Sequence, residues 1–350
     1  MAAKTRRVVT MDGAGRIGVQ EEPIPELKEN MILVKVESCL ISPGTELHSA
    51  YLARQNPKDT PPKAFGYGNA GVVIKVGKGV EGVAEGDRLA CMGGGFAVHG
   101  SYAVMPKNMV TPIPEGVSFD EAAFAHLAAT GLHAVRRSDI EFGQNVAVFG
   151  LGIVGQCIAQ ISRLCGGHVM AIDMVDERLA VAKTCGAHRT INPKSEDPVE
   201  VSREFTRGYG LDIAHIAFGG NANPAIKQIQ KMLKKAPDTH RMGVIVIVGW
   251  AQMEADFPVP FGNADIRPSS RPGPGYHDPE WEMGRDYPPA FVDWTTKRNM
   301  EECLRFCGDG LLNYEALITH RIKIDDAPAA CEELINSPGT AMGVILHPWQ

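Results

Sequence analysis

The run from Val146 to Gly155, Val-Ala-Val-Phe-Gly-Leu-Gly-Ile-Val-Gly, constrains this chain more than any other stretch. An apolar strand meets a Gly-x-Gly-x-x-Gly turn that opens straight into a helical pattern. That order predicts a strand–turn–helix unit holding a dinucleotide. Gly150 makes the tight turn, Gly152 lets the main chain approach a pyrophosphate with no Cβ in the way, and Gly155 lets the helix pack closely on the strand. Leu151, Ile153 and Val154 supply the N–H groups of the turn and of the helix N-terminus, which faces the phosphates. A second apolar strand, His168 to Asp173, ends in an acid 18 residues after Gly155, the spacing expected of a ribose-binding carboxylate.

The surrounding pattern extends this unit. Val154, Ile158, Ile161 and Leu164 recur at steps of four and three, so one face of the helix lies on a sheet. Asp176 reads as the N-cap of a helix that Gly186 ends. Asn223 followed by Pro224 reads as a cap and first turn. Strands at 212–218 and 243–248 run into Gly219 and Gly249, and right-handed crossovers place those glycines on one carboxyl edge of a parallel sheet, where ligands bind. The first ~120 residues have a different texture: short strands (Ile32–Val36, Ala70–Val76, Arg88–Ala90) between Gly/Pro turns, in the manner of a β-barrel. The last ~40 residues read as strand, helix, strand and are expected to complete that barrel. Residues 268–289, dense in Pro, Gly, Asp and Arg, read as a long ordered loop, since Trp281 and Tyr287 are poor residues for a disordered spacer.

Composition excludes several classes. A length of 350 residues suits about two domains, and 44% hydrophobic residues suffice for ordinary cores. The formal net charge of −6, with Lys and Arg scattered, offers no footprint for nucleic acid or an anionic membrane, so a small-molecule substrate is expected. No apolar run is long enough to span a bilayer and no signal-peptide core follows Met1, which predicts a cytoplasmic protein. The eight cysteines are dispersed and imply no disulfide framework. Cys303 and Cys307, at helical spacing, read as one helix face.

Taken in order, these segments resemble the medium-chain dehydrogenase/reductase superfamily over nearly the whole chain. The match runs through Gly86-Asp87-Arg88, Ala128-Ala129-Thr130-Gly131, the glycine turn, and Ile318-Thr319-His320-Arg321. The resemblance implies an α/β protein with a Rossmann doubly wound parallel sheet and a GroES-like β-barrel domain. It divides the chain into a catalytic domain at 1–124, an NAD-binding domain at 125–300 and a return to the catalytic domain at 301–350. It also implies a homodimer or homotetramer, and a substrate held in the cleft between the domains.

The departures from the family pattern are as informative. Zinc-dependent members carry a catalytic cysteine in a Cys-Gly-(Ser/Thr)-Asp turn and a Gly-His-Glu segment. The matching stretches here read Ile41-Ser42-Pro43-Gly44-Thr45-Glu46 and Gly66-Tyr67-Gly68. A neutral hydroxyl does not replace thiolate at zinc, and of the four-cysteine structural zinc loop only Cys91 remains, so no metal is expected. Activation of the reacting oxygen must then come from hydrogen bonding. By resemblance, Thr45 matches the hydroxyl that starts the proton relay and His48 the relay histidine. His126 falls near a third zinc-ligand position, Thr130 matches a residue packed on the nicotinamide, and Tyr67 takes the place of the zinc-binding histidine. Tyr67, His126, Thr45 and His48 are therefore the catalytic candidates.

Asp173, followed by Met174 with no adjacent Arg, would accept from both ribose hydroxyls and repel a 2′-phosphate, which favours NAD over NADP. Arg178 matches a family position at the adenosine ribose. The turn Ser42–Glu46 and the stretch Arg271–Asn299 resemble zinc-less members fused to sugar-type oxidoreductases, and more loosely bacteriochlorophyllide dehydrogenases. That favours a secondary alcohol or ketone of a sugar, cyclitol or glycoside. A quinone or enone reductase, or a non-catalytic dinucleotide-binding protein, are the alternatives.

Overall fold

In the computed structural model the described residues are 4–254, 260–337, 339 and 341–350, without the side chain of Thr45. Two compact units are present, Met1–Ala129 with Pro272–Gln350 and Thr130–Arg271.

The first unit opens with the hairpin β1 (Thr5–Met11) and β2 (Ile17–Pro23), and its long central strand is β3 (Met31–Ile41). A short turn then leads into α1 (His48–Gln55), followed by β4 (Lys63–Ala64), β5 (Gly68–Val76), β6 (Arg88–Met92), β7 (Tyr102–Pro106) and β8 (Val110–Pro112). β5 pairs along β3 from Ile32 to Cys39, with register shifts at Leu33/Val34 and Val36/Ser38. Such bulges raise local twist and curl a sheet. α2 (Phe119–Ala122) begins in a capping box between Ser118 and Glu121, and α3 (Ala125–Arg137) follows. The division between the units falls inside α3.

The second unit alternates strand and helix: β9 (Asn145–Phe149), α4 (Ile153–Leu164), β10 (His168–Ile172), α5 (Asp176–Thr184), β11 (Arg189–Ile191), α6 (Pro198–Phe205), β12 (Ile213–Ile216). Then come β13 (Gly220–Asn221), α7 (Asn223–Met232), β14 (Val244–Val248), β15 (Ala251–Gln252) and β16 (Asp265–Ser269). Six parallel strands form one sheet in the order β11-β10-β9-β12-β14-β16. β9 is central and every residue in it is buried, as expected of a parallel strand covered on both faces. Ala147, Phe149, Met170, Ile172, Ala214 and Ile216 form one core with Ile226, Ile229 and Met232 of α7.

The chain returns to the first unit through α8 (Pro279–Glu282), α9 (Thr296–Gly308), β17 (Ile318–Lys323), α10 (Ala327–Asn336) and β18 (Gly343–His347). β17 runs parallel to β18, and β18 pairs antiparallel with Cys39–Ile41 of β3. The family resemblance placed 272–300 with the nucleotide-binding domain, whereas this stretch packs in the first unit. Its anchors are there: Asn108 Nδ2 donates to the Trp281 carbonyl at 2.8 Å and to Asp286 Oδ1 at 2.7 Å, and Trp281 is fully buried. Residues 268–289, read as loop, contain the end of β16 and all of α8.

Two caps also differ from the sequence reading. Val175 occupies the N-cap of α5, and the Asp176 carboxylate accepts from Asn192 Nδ2. Ala222 occupies that of α7, while Asn223 Oδ1 accepts the Glu254 N–H. In both cases a partner distant in sequence takes the side chain that local pattern assigned to capping. Cys303 and Cys307 lie on the buried face of α9, as the spacing predicts. No helix among the described residues is long and apolar enough to cross a membrane.

Candidate active site

The glycine turn has the geometry its spacing requires. Gly150 has φ +89°, and a Cβ there would press on Phe218. At Gly155 a Cβ would lie 1.9 Å from the Gly150 carbonyl oxygen, so only glycine lets α4 start this close to the end of β9. Gly152, the N-cap of α4, is different: a Cβ on it would meet nothing within 4 Å. The space above Gly152 is thus open at a helix N-terminus, where an anionic group is favoured. Leu151 and Ile153 are buried and Val154 is half-buried.

Asp173, just past β10, locks this turn. Its Oδ2 accepts the Leu151 N–H at 2.6 Å and its Oδ1 the Val175 N–H at 3.0 Å. Each carboxylate oxygen retains a second lone pair for ribose hydroxyls. The Arg178 guanidinium stands 3.8 Å from Asp173, so a cation does lie beside the acid, five residues on rather than adjacent to it. Gln156, fully buried, donates to the Leu151 carbonyl and, at 2.8 Å, to the Arg178 carbonyl, tying turn to α5. Gly219 and Gly249 are exposed just beyond β12 and β14, and Thr130 is half-buried in the same unit. These residues fit a dinucleotide: the Cβ-free cradle at Gly152 leaves room for a pyrophosphate, and Asp173 has lone pairs for ribose hydroxyls.

In the first unit Tyr67 and His126 come together. Their ring centroids are 4.5 Å apart, on the segment before β5 and the first turn of α3. Gly66, before Tyr67, has φ +130°, and a Cβ there would lie 2.4 Å from the His99 nitrogen, so the turn that presents Tyr67 needs glycine. Burial holds the His126 imidazole neutral, its pKa lowered to about 3. A third ring, Tyr276, stands edge-on to His126 at 6.1 Å, and its Oη accepts the Gly94 N–H at 2.9 Å. Sequence reasoning did not single out Tyr276 as a site residue, since nothing local to it points at α3. His48 opens α1 with its ring stacked on the half-exposed Tyr51, at 6.2 Å. The side chain of Thr45 lies outside the described residues.

Tyr287 and Trp294 tie the 272–294 stretch to α8 and α9. Tyr287 Oη donates to Asp278 Oδ2 at 2.6 Å, Asp278 caps α8, and Arg298 stacks on Trp294 at 3.7 Å. The stretches matching the zinc-ligand turns present Ser42 and Tyr67. No group of three His, Cys, Asp or Glu side chains among the described residues is arranged to hold a metal ion. This donor set does not fit catalytic zinc.

Residues 154–274 match the zinc-binding dehydrogenase family, and residues 28–115 match the alcohol dehydrogenase GroES-like domain. An alcohol dehydrogenase of Geobacillus stearothermophilus is 30% identical over 271 residues, covering 69% of this chain and 76% of the relative. Sorbitol dehydrogenase 1 of Saccharomyces cerevisiae is 24% identical over 384 residues, with 99% of both chains covered. Among solved structures, galactitol-1-phosphate dehydrogenase from Escherichia coli superposes with a TM-score of 0.78 at 21% identity, covering 98% of this chain and 100% of that one. With these two family matches and an alcohol dehydrogenase 30% identical to it, the chain belongs to the medium-chain dehydrogenase/reductase superfamily of oxidoreductases.

Proposed function

We propose that this protein is an NAD-dependent, zinc-independent oxidoreductase that interconverts a secondary alcohol and its ketone on a polyol, cyclitol or sugar. The observation that carries the reading is the Tyr67–His126 pair, two hydrogen-bonding rings 4.5 Å apart at the positions where zinc members of the family place metal ligands. The sorbitol and galactitol-phosphate dehydrogenases among its relatives support the substrate class. Asp173 supports NAD, because a 2′-phosphate placed against it would meet a like charge.

A bound nicotinamide supplies hydride acceptance and donation at the carbinol carbon. The chain's own residues do the rest. Gly152 gives the pyrophosphate room at the N-terminus of α4, Gly150 and Gly155 let that helix start close to β9, and Asp173 orients the ribose. Tyr67 holds the substrate oxygen by its phenol, whose conjugate base takes the hydroxyl proton as the alcohol is oxidised and which gives it back to the oxygen as the ketone is reduced. His126, neutral through burial, orients that oxygen as an uncharged hydrogen-bonding partner rather than as an acid. Tyr276 stands edge-on to His126.

The reading is tested by screening polyols, cyclitols and sugars against NAD and NADP, following reduced nicotinamide by absorbance, with metal content measured on the same sample. Turnover of a secondary alcohol with NAD, retained after chelation, is the expected result. One equivalent of zinc lost together with activity overturns zinc independence, and turnover confined to enones with NADPH replaces the alcohol reading with that of an enone reductase.

A further inference from the structure

Beneath the candidate site lies a pair of charged side chains that the chemistry above does not use. Glu46 and His99 are both buried, with side chains 5% and 1% exposed, and His99 Nε2 lies 3.1 Å from Glu46 Oε2. The same carboxylate oxygen accepts the Ser42 N–H at 2.8 Å. Glu46 belongs to the single π-helical turn Pro43–Leu47, whose backbone also donates from Glu46 N–H to the Ser42 carbonyl at 3.2 Å. One carboxylate oxygen therefore binds both the Ser42 N–H just before this turn and an imidazole some fifty residues later.

His99 also reaches the other half of the site. Its backbone N–H donates to the Phe65 carbonyl at 2.9 Å, its carbonyl accepts the Val9 N–H at 2.8 Å, and its ring meets Phe65 edge to face at 5.4 Å. Two residues further on, the Tyr67 carbonyl accepts the Gly93 N–H at 2.9 Å. The close approach at Gly66 is made against the same His99 nitrogen. His99 is thus the point where the turn at 42–47 and the segment at 65–67 are fastened to each other.

Burying a carboxylate and an imidazole together is costly unless each is held by the other. Burial, the largest influence on His99, disfavours its charge. The charge and hydrogen bond of Glu46, with Cys39 alongside, outweigh burial and raise the imidazole pKa to about 10. The pair is then an ion pair at neutral pH, and removing one partner strands the other's charge in the core.

We propose that His99 is a positioning residue: through its side chain on Glu46 it fixes the Ser42–Leu47 turn, and through its backbone and ring it fixes Phe65–Tyr67, so that one buried ion pair sets the spacing of both segments of the reacting site. The relevance to turnover rests on the function proposed above, whereas the fastening of the turn does not.

His99→Phe keeps an aromatic ring and removes the bond to Glu46. His99→Gln keeps a donor and removes the charge. Hydrogen–deuterium exchange on both is read for the peptide spanning residues 42–48 and for the glycine-turn peptide at 150–156. In His99→Phe the first peptide is expected to exchange at least tenfold faster and the second to stay unchanged. His99→Gln should recover most of the protection. With a substrate in hand, His99→Phe should lower kcat at least tenfold with NAD affinity within twofold, and His99→Gln should fall between. Unchanged exchange at 42–48 in folded His99→Phe overturns the proposal, as does a His99→Gln as impaired as His99→Phe. Should His99→Phe fail to fold, Glu46→Gln provides the same test from the other partner, with faster exchange at 42–48 expected and unchanged exchange refuting. The exchange measurement needs no turnover, so a screen that finds no alcohol substrate rejects the proposed function and leaves the fastening of the turn to be decided by exchange alone.

Discussion

Tyr67 and His126 each limit what the other can do. With its pKa lowered to about 3, the buried His126 imidazole is a poor proton acceptor, so the proton of the alcohol is assigned to Tyr67 and the orientation of the oxygen to His126. Tyr67→Phe and His126→Ala are expected to lower kcat by about 10²–10⁴ while leaving NAD affinity nearly unchanged, measured by steady-state kinetics and calorimetry. Near-native turnover in both variants would move the proton transfer elsewhere. Asp173→Ala should weaken NAD binding by about 1–3 kcal/mol, the cost of a lost charged hydrogen-bond partner, and relax discrimination against NADP, because Arg178 then stands unopposed. A native protein that binds NADPH more tightly than NADH in calorimetry would reverse the reading of this acid. The residues visible from sequence were those whose partners are close in the chain or whose positions a family pattern marks, namely the glycines, Asp173, Tyr67 and His126. Tyr276 and the Glu46–His99 pair were not, since each acquires its meaning from a contact many residues away.

At the scale of elements, the strand–turn–helix around Gly150–Gly155 was legible because three local signals agree: an apolar run, three glycines at fixed spacing and a 3.6-residue apolar period. Gly152 and Gly155 make different demands, and that difference is measurable. Gly155→Ala drives a methyl group into the Gly150 carbonyl and should cost about 1–3 kcal/mol of stability by overpacking, read as a lowered Tm. Gly152→Ala has room for its methyl and an ordinary φ of −66°, so Tm should hold while NAD affinity falls about tenfold or more, or about 1.4 kcal/mol. Equal effects of the two on both readouts would contradict the assignment of Gly152 to the phosphate. β16 was illegible for the opposite reason. Its sequence, Asp-Ile-Arg-Pro-Ser, carries charges and a proline that argue against a strand, yet it pairs with β14 alone at the sheet edge, where a missing N–H is tolerated.

Over the whole molecule, buried histidines set opposite limits at acid and alkaline pH. His215, fully buried on β12, has no hydrogen-bond partner for either ring nitrogen among the described residues, and burial lowers its pKa to about 3, as it does for His126. Both must stay neutral in the native state and are free to protonate in the unfolded one. Stability is therefore expected to fall as pH drops below about 6.5, by roughly 1.4 kcal/mol per pH unit for each group, until the native pKa near 3 is reached. His99, with its pKa raised, acts the other way: its contribution is complete below about 6.5 and is lost as pH rises through about 10. His215→Leu should flatten the acid limb of a Tm-against-pH curve by about one proton, and an unchanged slope would show that His215 does not titrate on unfolding.

The first unit is assembled from both ends of the chain, and this imposes an order on synthesis. β7 and β18 share the edge of β3 that β5 does not use, and β18 is made ~300 residues after the Cys39–Ile41 segment it covers. The entire nucleotide-binding unit leaves the ribosome before that cover exists. For that interval Leu40 and Ile41, fully buried in the finished fold, lie on an open strand edge that another chain can occupy. The yield of native protein is thereby tied to the time taken to translate the second unit, a hazard to which a chain with sequentially adjacent strands is not exposed.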